Sequence, residues 1–273
     1  MPRAPWAPRG RPGPLSPASP SSPQLRRRVD KGVPPQVRGQ VWLRLLNVDQ
    51  VKARNAGKYQ EVGYCQGMSE IAAIVLMFLP EDDAFWALAQ LMVSPADDRH
   101  GFFVPGFQKL LRFQAHHERV LQRALPDLRK HMDEEQMSTG IYTPKWFLQC
   151  FLGRTPFSLT LKLWDAYVLD GERVLTAMAY TILKVHRKRL LKLPLEGLRE
   201  FLQDSLAQPW ALEDEVVLRH LQASMTLLRR MRCDLPPPQR DLRSSSRGPW
   251  AWSKCPWRPG LSSLLQPLSH RPG

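Results

Sequence analysis

Apolar side chains recur every three or four positions through most of the middle of the chain, which is the spacing of one buried helix face. Two segments show this stripe best, and its positions are Phe107, Leu110, Leu111, Gln114, Leu121 and Leu125 in 107–125, and Val174, Leu175, Met178, Ile182 and Val185 in 171–190. The same spacing predicts helices at 38–47, 67–79, 81–92, 144–152, 158–168, 195–206 and 213–231. Strand alternation is hard to find, so the pattern predicts an all-α domain.

Charged residues support several of these helix ends. Acidic clusters at 81–83 and 213–215 suit first turns, and the basic run HRKRL at 186–190 suits a last turn, because the helix dipole favours those signs there. The aromatic residues on the predicted stripes are expected in the core, and they are Trp42, Trp146, Phe151 and Trp164.

The formal net charge of +14 belongs to the two ends of the chain. Residues 1–38 and 229–273 each carry a net +7, and residues 39–228 hold 22 basic and 22 acidic residues. The ends also hold 18 of the 26 prolines. Such segments have little apolar surface to bury, so we expect disordered basic tails at 1–29 and 237–273. They could also contact aromatic grooves, anionic lipid or nucleic acid.

Several kinds of chemistry are not indicated. The sequence has no GxxxxGK[ST] or HExxH motif, and no serine or cysteine sits in an identifiable nucleophile turn. Cys65, Cys150, Cys233 and Cys255 lack metal-ligand spacing and suit reduced thiols. His116 and His117 are adjacent and point to different helix faces, so we expect a surface pair. We therefore expect no metal or cofactor, and a cytoplasmic protein that acts on a partner.

Four stretches occur in the order known from one family. They are KGVPPQVRGQVW at 31–42, EVGYCQGM at 61–68, YTPKWFLQCFLGRTPF at 142–157 and LKLWDAYVLDGERVL at 161–175. Together they resemble the TBC domain, the all-helical fold of GTPase-activating proteins for Rab-type small GTPases, and within it the Tre-oncogene-like branch. The resemblance covers roughly residues 30–236. It implies a GTP-bound Rab-type GTPase as partner and a place in vesicle trafficking.

The resemblance also implies catalytic and contact residues. TBC domains supply two side chains to the GTPase: a glutamine from a YxQ motif, which orients the attacking water, and an arginine from an IxxDxxR motif, which stabilises phosphate charge. Gln66 matches the glutamine, although a glutamine at a helix start can also simply bond loop backbone. Gly63, Tyr64 and Gly67 surround it and are expected to contact the GTPase.

Arg38 and Asp165 are two further candidates for GTPase contact. For Arg38 a structural ion pair is the stronger alternative, and for Asp165 a capping or pairing role within the fold is an equal one.

The arginine motif is missing from the interval where the family carries it. Between Leu43 and Gly63 the only aspartate is Asp49. The motif requires an arginine three positions later, where this chain has Lys52. The chain passes from KYQ to EVGYCQ at residues 60 and 61, where family members carry a further helical segment. We therefore predict an internal deletion, weak or absent GAP activity, and a weakened fold in the N-terminal half, with 107–231 a compact helical subdomain.

Three functions stay open at this point. The first is a GTPase activator, and the second is a catalytically inactive relative that binds a Rab or another partner as an adaptor. The third is a basic protein of membranes or nucleic acid, which the neutral middle makes the least favoured; we expect no specific nucleic-acid partner. Weak peripheral contact with endomembranes through the tails is a further expectation.

Overall fold

The computed structural model describes residues 23–54, 67–93, 99–103 and 106–237, and these residues contain helices and turns without a strand. Twelve α-helices follow one another: α1 Pro23–Asp30, α2 Pro35–Leu45, α3 Val48–Arg54, α4 Met68–Leu76, α5 Glu81–Val93, α6 Gln108–Ala124, α7 Pro126–Glu134, α8 Thr139–Leu148, α9 Phe157–Asp170, α10 Arg173–Leu190, α11 Leu195–Gln203 and α12 Asp214–Arg230. Two 3₁₀ turns lie at Arg99–Phe102 and Ser205–Ala207. The predicted all-α fold is confirmed.

Helix α10 lies at the centre of the molecule. Ten successive residues from Val174 to Leu183 are buried, because α6, α8, α9 and α12 pack around the helix. The Thr181 hydroxyl donates to Ser224 Oγ on α12 at 2.8 Å, so a polar contact also fixes the register of this pair. Around this centre α1 and α2 lie on α9, while α3 and α4 pack on α5.

The aromatic core prediction is confirmed. Trp42, Trp146, Phe151 and Trp164 are all fully buried. Their rings join across the fold, since the Trp42 and Trp164 centroids lie 6.1 Å apart and those of Trp146 and Phe151 lie 5.4 Å apart. Burying one such ring contributes on the order of 2 to 3 kcal/mol.

The nine predicted helices all occur, with one important change of boundary. The helix predicted at 144–152 is α8, which begins earlier, at Thr139, ends at Leu148 and carries Pro144 inside. Three α-helices were not predicted: α1, α3 and α7. Of these, α1 lies within the segment assigned to the N-terminal tail, so the folded part of the chain begins earlier than expected.

Salt bridges and hydrogen bonds explain why α1 is folded. Arg26 Nη1 donates to both carboxylate oxygens of Asp170 at 2.6 and 2.7 Å, and Gln222 Nε2 donates to the Asp30 carbonyl at 3.3 Å. Both partners lie more than 140 residues away in sequence, so no local pattern could indicate this helix.

Two expectations for α6 were wrong. Leu111, placed on the apolar stripe, is 53% exposed, whereas Phe113 and Val120 are buried. The histidine pair predicted for the surface is buried as well: His116 Nε2 lies 2.9 Å from the Cys233 carbonyl oxygen, and His117 Nε2 lies 2.9 Å from the Tyr142 hydroxyl. Two adjacent histidines can both be buried when each imidazole ring has a hydrogen-bond partner.

Cys150 and Cys233 are buried and form no disulfide, while Cys65 and Cys255 lie outside the described residues. Within the described ranges, no helix combines the length and apolar character needed to cross a bilayer. Those same ranges contain no group of three or more His, Cys, Asp or Glu side chains that could hold a metal ion.

Candidate GTPase-binding site

The candidate site lies at the start of α4, which directly follows the glutamine motif in sequence. Gly67 is the N-cap residue of α4 and has φ +100°, in the left-handed region. A residue with a Cβ carries a steric cost there of about 1 to 2 kcal/mol, and glycine does not. The glycine of YCQG is therefore required by the backbone at the point where the helix begins.

Gly67 packs against two residues from distant parts of the chain. A Cβ placed on Gly67 would lie 3.6 Å from Phe103 Cε1 and 3.7 Å from Gln149 Nε2. Gln149 ends α8, where its backbone N–H donates to the Lys145 carbonyl. The structure thus places Gly67, from the end of one family stretch, beside Gln149 of another.

The turn after α8 has an unusual backbone. Cys150 and Phe151 are consecutive residues at φ 48° and 60°, and both are fully buried. Their conformation is held by the Phe151 N–H, which donates to the Trp146 carbonyl at 3.1 Å, and by the Arg154 N–H, which donates to the Phe151 carbonyl at 2.8 Å. Non-glycine residues in this region cost of order 1 kcal/mol or more each, and such strain concentrates at functional sites.

Sequence reasoning did not single out Gln149 or Phe103 as site residues. Gln149 stands within a stretch that carries the resemblance, so its position there was the available signal. Phe103 follows the 3₁₀ turn Arg99–Phe102, and nothing in the sequence pattern links it to Gly67. Both residues enter the site through tertiary packing.

Arg38 and Asp165 form an ion pair inside the fold. Arg38 Nε donates to Asp165 Oδ1 at 2.9 Å and Arg38 Nη2 donates to Oδ2 at 3.1 Å. The Trp42 indole N–H also donates to Oδ1 at 2.9 Å, and the Val33 backbone N–H donates to Oδ2 at 3.1 Å. The carboxylate therefore has four donors, and it ties α2 and the preceding loop to α9.

Removing the Arg38 and Asp165 charges from water costs free energy, which their mutual contacts must offset. Arg38 is 3% exposed and Asp165 is fully buried. Burial raises the pKa of Asp165, while the Arg38 guanidinium and the other donors oppose that shift. The guanidinium also lies over the Phe78 ring, 5.2 Å from its centroid, and Arg38 Nη2 donates to the Val33 carbonyl at 2.7 Å. In this conformation both side chains serve the fold, as the structural alternatives for them predicted.

The remaining predicted site residues lie outside the described part of the chain. These are Gly63, Tyr64 and Gln66, together with the join at residues 60 and 61. Their roles, and any GTPase contact by Gly67, Arg38 or Asp165, stay predictions.

Comparison with known proteins shows what this chain is similar to. The model of the Rab-GTPase-TBC domain matches residues 56–191, just under half of the chain. That range contains three of the four stretches described above and begins after KGVPPQVRGQVW. Carabin from Mus musculus is 32% identical over 125 residues, which are 46% of this chain and 28% of Carabin. The chain therefore spans less than a third of that relative's length.

Two solved structures share the architecture. The crystal structure of the Ypt/Rab-GAP domain of Gyp1p matches with a TM-score of 0.62 at 13% identity, over 75% of this chain and 92% of that one. The RabGAP TBC domain of the Chlamydomonas flagellum matches with a TM-score of 0.59 at 19% identity, over 74% and 85%. At these identities the likeness concerns the fold. Residues 56–191 therefore match the model of the Rab-GTPase-TBC domain family, and the chain shares the fold of these two TBC domains.

Proposed function

We propose that this chain binds the GTP-bound form of a Rab-type GTPase at the start of α4 and stimulates GTP hydrolysis weakly or not at all. One observation carries the proposal: Gly67, which follows the YCQ motif and has φ +100°, packs against Gln149 of a second family stretch. Gln66 is the proposed glutamine finger, and Gly63, Tyr64 and Gly67 are the proposed contact residues. The proposal includes a place in the Tre-oncogene-like branch.

A glutamine suits this role for chemical reasons. A small GTPase hydrolyses GTP slowly because its attacking water is poorly oriented and the developing phosphate charge is incompletely stabilised. A side-chain amide can accept a hydrogen bond from the water and donate one to the γ-phosphate at the same time. Gln66 can therefore position the water from outside the GTPase, as positioning in trans requires.

The second catalytic group is missing from the sequence interval that should carry it. Asp49 and Lys52 have the spacing of the D and R in IxxDxxR, but Lys52 contacts Asp82 at 3.0 Å and also pairs with Asp83, both on α5. It is thus engaged in holding α3 on α5. An arginine finger contributes about 10³- to 10⁵-fold in rate, equal to about 4 to 7 kcal/mol of transition-state stabilisation. Gln66 alone cannot supply that.

Exposed apolar residues near the start of the domain support an internal deletion. Leu76 and Met77, at the end of α4, are 51% and 57% exposed, and Val37 on α2 is 40% exposed. A helical segment inserted between α3 and α4 is one neighbour that would cover such positions. We propose that this segment, together with its arginine motif, has been lost at residues 60 and 61.

Arg38 and Asp165 enter the proposal as residues that position α2. Direct contact of either side chain with a GTPase would require the buried pair to open. Opening the pair would leave a charge without its partner in the interior, which costs about 3 to 5 kcal/mol. Their contribution to GTPase binding is therefore indirect in this proposal.

A second function follows from the same missing arginine. A chain that binds a Rab without catalysis would act as an adaptor, with its proline- and arginine-rich ends as docking segments. We place either activity in the cytoplasm, with peripheral contact to endomembranes through those ends. A membrane or nucleic-acid function of the tails alone would instead show steep salt dependence that resides in the isolated tails.

A Rab panel measured for both binding and single-turnover hydrolysis tests the proposal. We expect at least one GTP-bound Rab to bind, with little stimulation of hydrolysis. The matched variants are Gln66→Ala and Gln208→Ala, of which Gln208 is exposed and far along the chain. Binding that falls only with Gln66→Ala supports the site. Strong stimulation by the unmodified chain would overturn the predicted impairment, and absence of binding across the panel would overturn the proposal.

A further inference from the structure

A recess of about 270 Å³ opens where the end of α12 meets α6. It lies apart from Gly67 and is lined by His116, Arg119, Gln122, Arg123, Arg232, Cys233, Leu235 and Pro237. Three of these residues are arginines and all three are exposed: Arg119 and Arg123 lie on α6, and Arg232 lies just after the end of α12. None of the described lining residues carries a carboxylate.

The three guanidinium groups have no acidic partner within the described part of the chain. Arg119 Nε donates to the Ala115 carbonyl of its own helix at 3.3 Å. Arg123 Nη1 donates to the Met231 carbonyl at 3.4 Å and to Cys233 Sγ at 3.0 Å. Asp234, the acid next in sequence, acts electrostatically on His116, but it lines a neighbouring recess that holds as many aspartates as arginines. Three like charges around one recess repel one another, and an anion would relieve that repulsion.

The fold holds Arg232 at this recess at a cost. The Arg232 N–H donates to the Arg229 carbonyl at 3.1 Å and the Cys233 N–H donates to the Leu228 carbonyl at 2.8 Å. This is the pattern that ends a helix with a left-handed residue, usually glycine, and here that residue is an arginine with φ 54°. At a position with positive φ, replacing a side chain that makes no packing contacts by glycine would stabilise the protein. An arginine therefore stands where the backbone favours glycine.

From these observations we infer that the recess binds the phosphates of a phosphoinositide headgroup in an anionic membrane. Guanidinium groups bind phosphate through paired N–H donors, so three of them around one recess suit a headgroup with several phosphates. Leu235 lies at the rim and is 39% exposed. An exposed leucine beside arginines is typical of an element that touches the boundary between headgroups and acyl chains. A soluble anion would not need an exposed leucine beside its binding site, so Leu235 favours a membrane as the source of the phosphates.

The position of the recess is compatible with simultaneous binding of a GTPase. Arg119 and Arg123 lie in the last two turns of α6, whereas Phe103, which packs at Gly67, precedes its first turn. Helix α6 has 17 residues, so its two ends are about 25 Å apart. The membrane contact and the proposed GTPase contact are therefore on separate parts of the domain, and each can fail without the other.

Vesicle co-sedimentation of the full chain tests the inference. The probe is phosphatidylcholine vesicles with and without phosphatidylinositol 4,5-bisphosphate, at fixed ionic strength. The test variant is Arg119→Gln, Arg123→Gln and Arg232→Gln together. The matched control is Lys184→Gln, Lys188→Gln and Lys192→Gln together, which removes the same charge from exposed positions in the second half of α10 and just after it. We expect the arginine variant to bind about ten- to hundredfold more weakly and the lysine control to change little.

The other outcomes count against the inference. Equal loss in both variants would mean that net charge alone drives binding, and no loss in the arginine variant would place any binding in the tails. Leu235→Gln separates the sources of phosphate: we expect it to weaken vesicle binding and to leave calorimetric binding of soluble inositol trisphosphate unchanged. If soluble inositol trisphosphate binds as tightly as the vesicles do, the inference of a membrane ligand is wrong and the ligand is a free inositol phosphate. Circular dichroism of each variant verifies that it is folded.

Discussion

Helices α10 and α4 bury their apolar residues to very different degrees. In α10 the residues Val174 to Leu183 are all buried, because neighbours lie on every side. Helix α4 is also rich in apolar residues and packs on α5, yet the chain leaves Leu76 and Met77 exposed at its end. A helix that is apolar around its whole circumference needs neighbours around its whole circumference. Within the region α6–α12, helix α10 is therefore enclosed by its neighbours, whereas within α2–α5 the end of α4 is left open.

The largest expected effect comes from the contact that joins these two regions. Asp165→Ala leaves Arg38 charged and without its acid at a position that is 3% exposed. We expect a loss of about 3 to 5 kcal/mol in the free energy of unfolding, measured by urea denaturation. The control is Glu134→Ala, which removes the acid of the exposed pair between Lys130 and Glu134 and should cost less than about 1 kcal/mol.

A double substitution sharpens the same prediction. Arg38→Met combined with Asp165→Leu removes both charges, so it should recover much of the stability lost in Asp165→Ala. A double variant as unstable as the single one would mean that the geometry of the bonded group matters more than the unpaired charge.

The next largest effect compares two leucines, one in each region. Leu183→Ala removes a fully buried side chain from α10 and should cost about 2 to 5 kcal/mol. Leu76→Ala acts on a side chain that is 51% exposed and should stay within about 0.5 kcal/mol. Thermal unfolding of both variants provides the measurement. Similar losses would show that α4 has a partner for Leu76 in solution.

Acid should weaken the α6–α12 region through its buried histidines. Burial lowers the pKa of His117 to about 3 and that of His186 to about 4, against about 6.5 for an unfolded chain. Between these values the unfolded form binds more protons, so the stabilisation is complete above pH 6.5 and is lost as pH falls. For His117 the loss at pH 5 is about 2 kcal/mol.

Urea unfolding at pH 7.5 and pH 5.0 measures this effect. The variant His117→Gln keeps a polar group near Tyr142 but cannot titrate, so the difference in stability between the two pH values should shrink by about that amount. If the difference in stability between the two pH values is the same in His117→Gln, His117 does not contribute to the loss of stability in acid.

The smallest effect on stability concerns the turn before α4. Gly67→Ala should cost about 1 to 2 kcal/mol, because alanine must adopt φ +100° while its Cβ meets neighbours at ordinary distances. The control Gly153→Ala has the same kind of cost at φ +67°, with open space around the added Cβ. We expect both variants to lose stability and only Gly67→Ala to lose GTPase affinity. Equal GTPase binding by both variants would argue against a site at this turn.

The candidate site was only partly predictable. Gly67 came from its motif, and its left-handed conformation agrees with the need for glycine there. Gln149 and Phe103 were missed as its neighbours because helical spacing describes one segment at a time. The same limit applies to α1, whose salt bridge and hydrogen bond reach residues far along the chain.

The amino-acid sequence by itself determined nine of the twelve described α-helices, the aromatic core and the family resemblance, since these depend on spacing within short segments. Tertiary structure decided what each polar group does. Arg38 and Asp165, 127 residues apart in sequence, became a buried pair, and His116 and His117 moved from an expected surface position into the core. The physical reason is that a buried polar side chain is tolerated only where the fold supplies a partner, and that partner lies on a different segment.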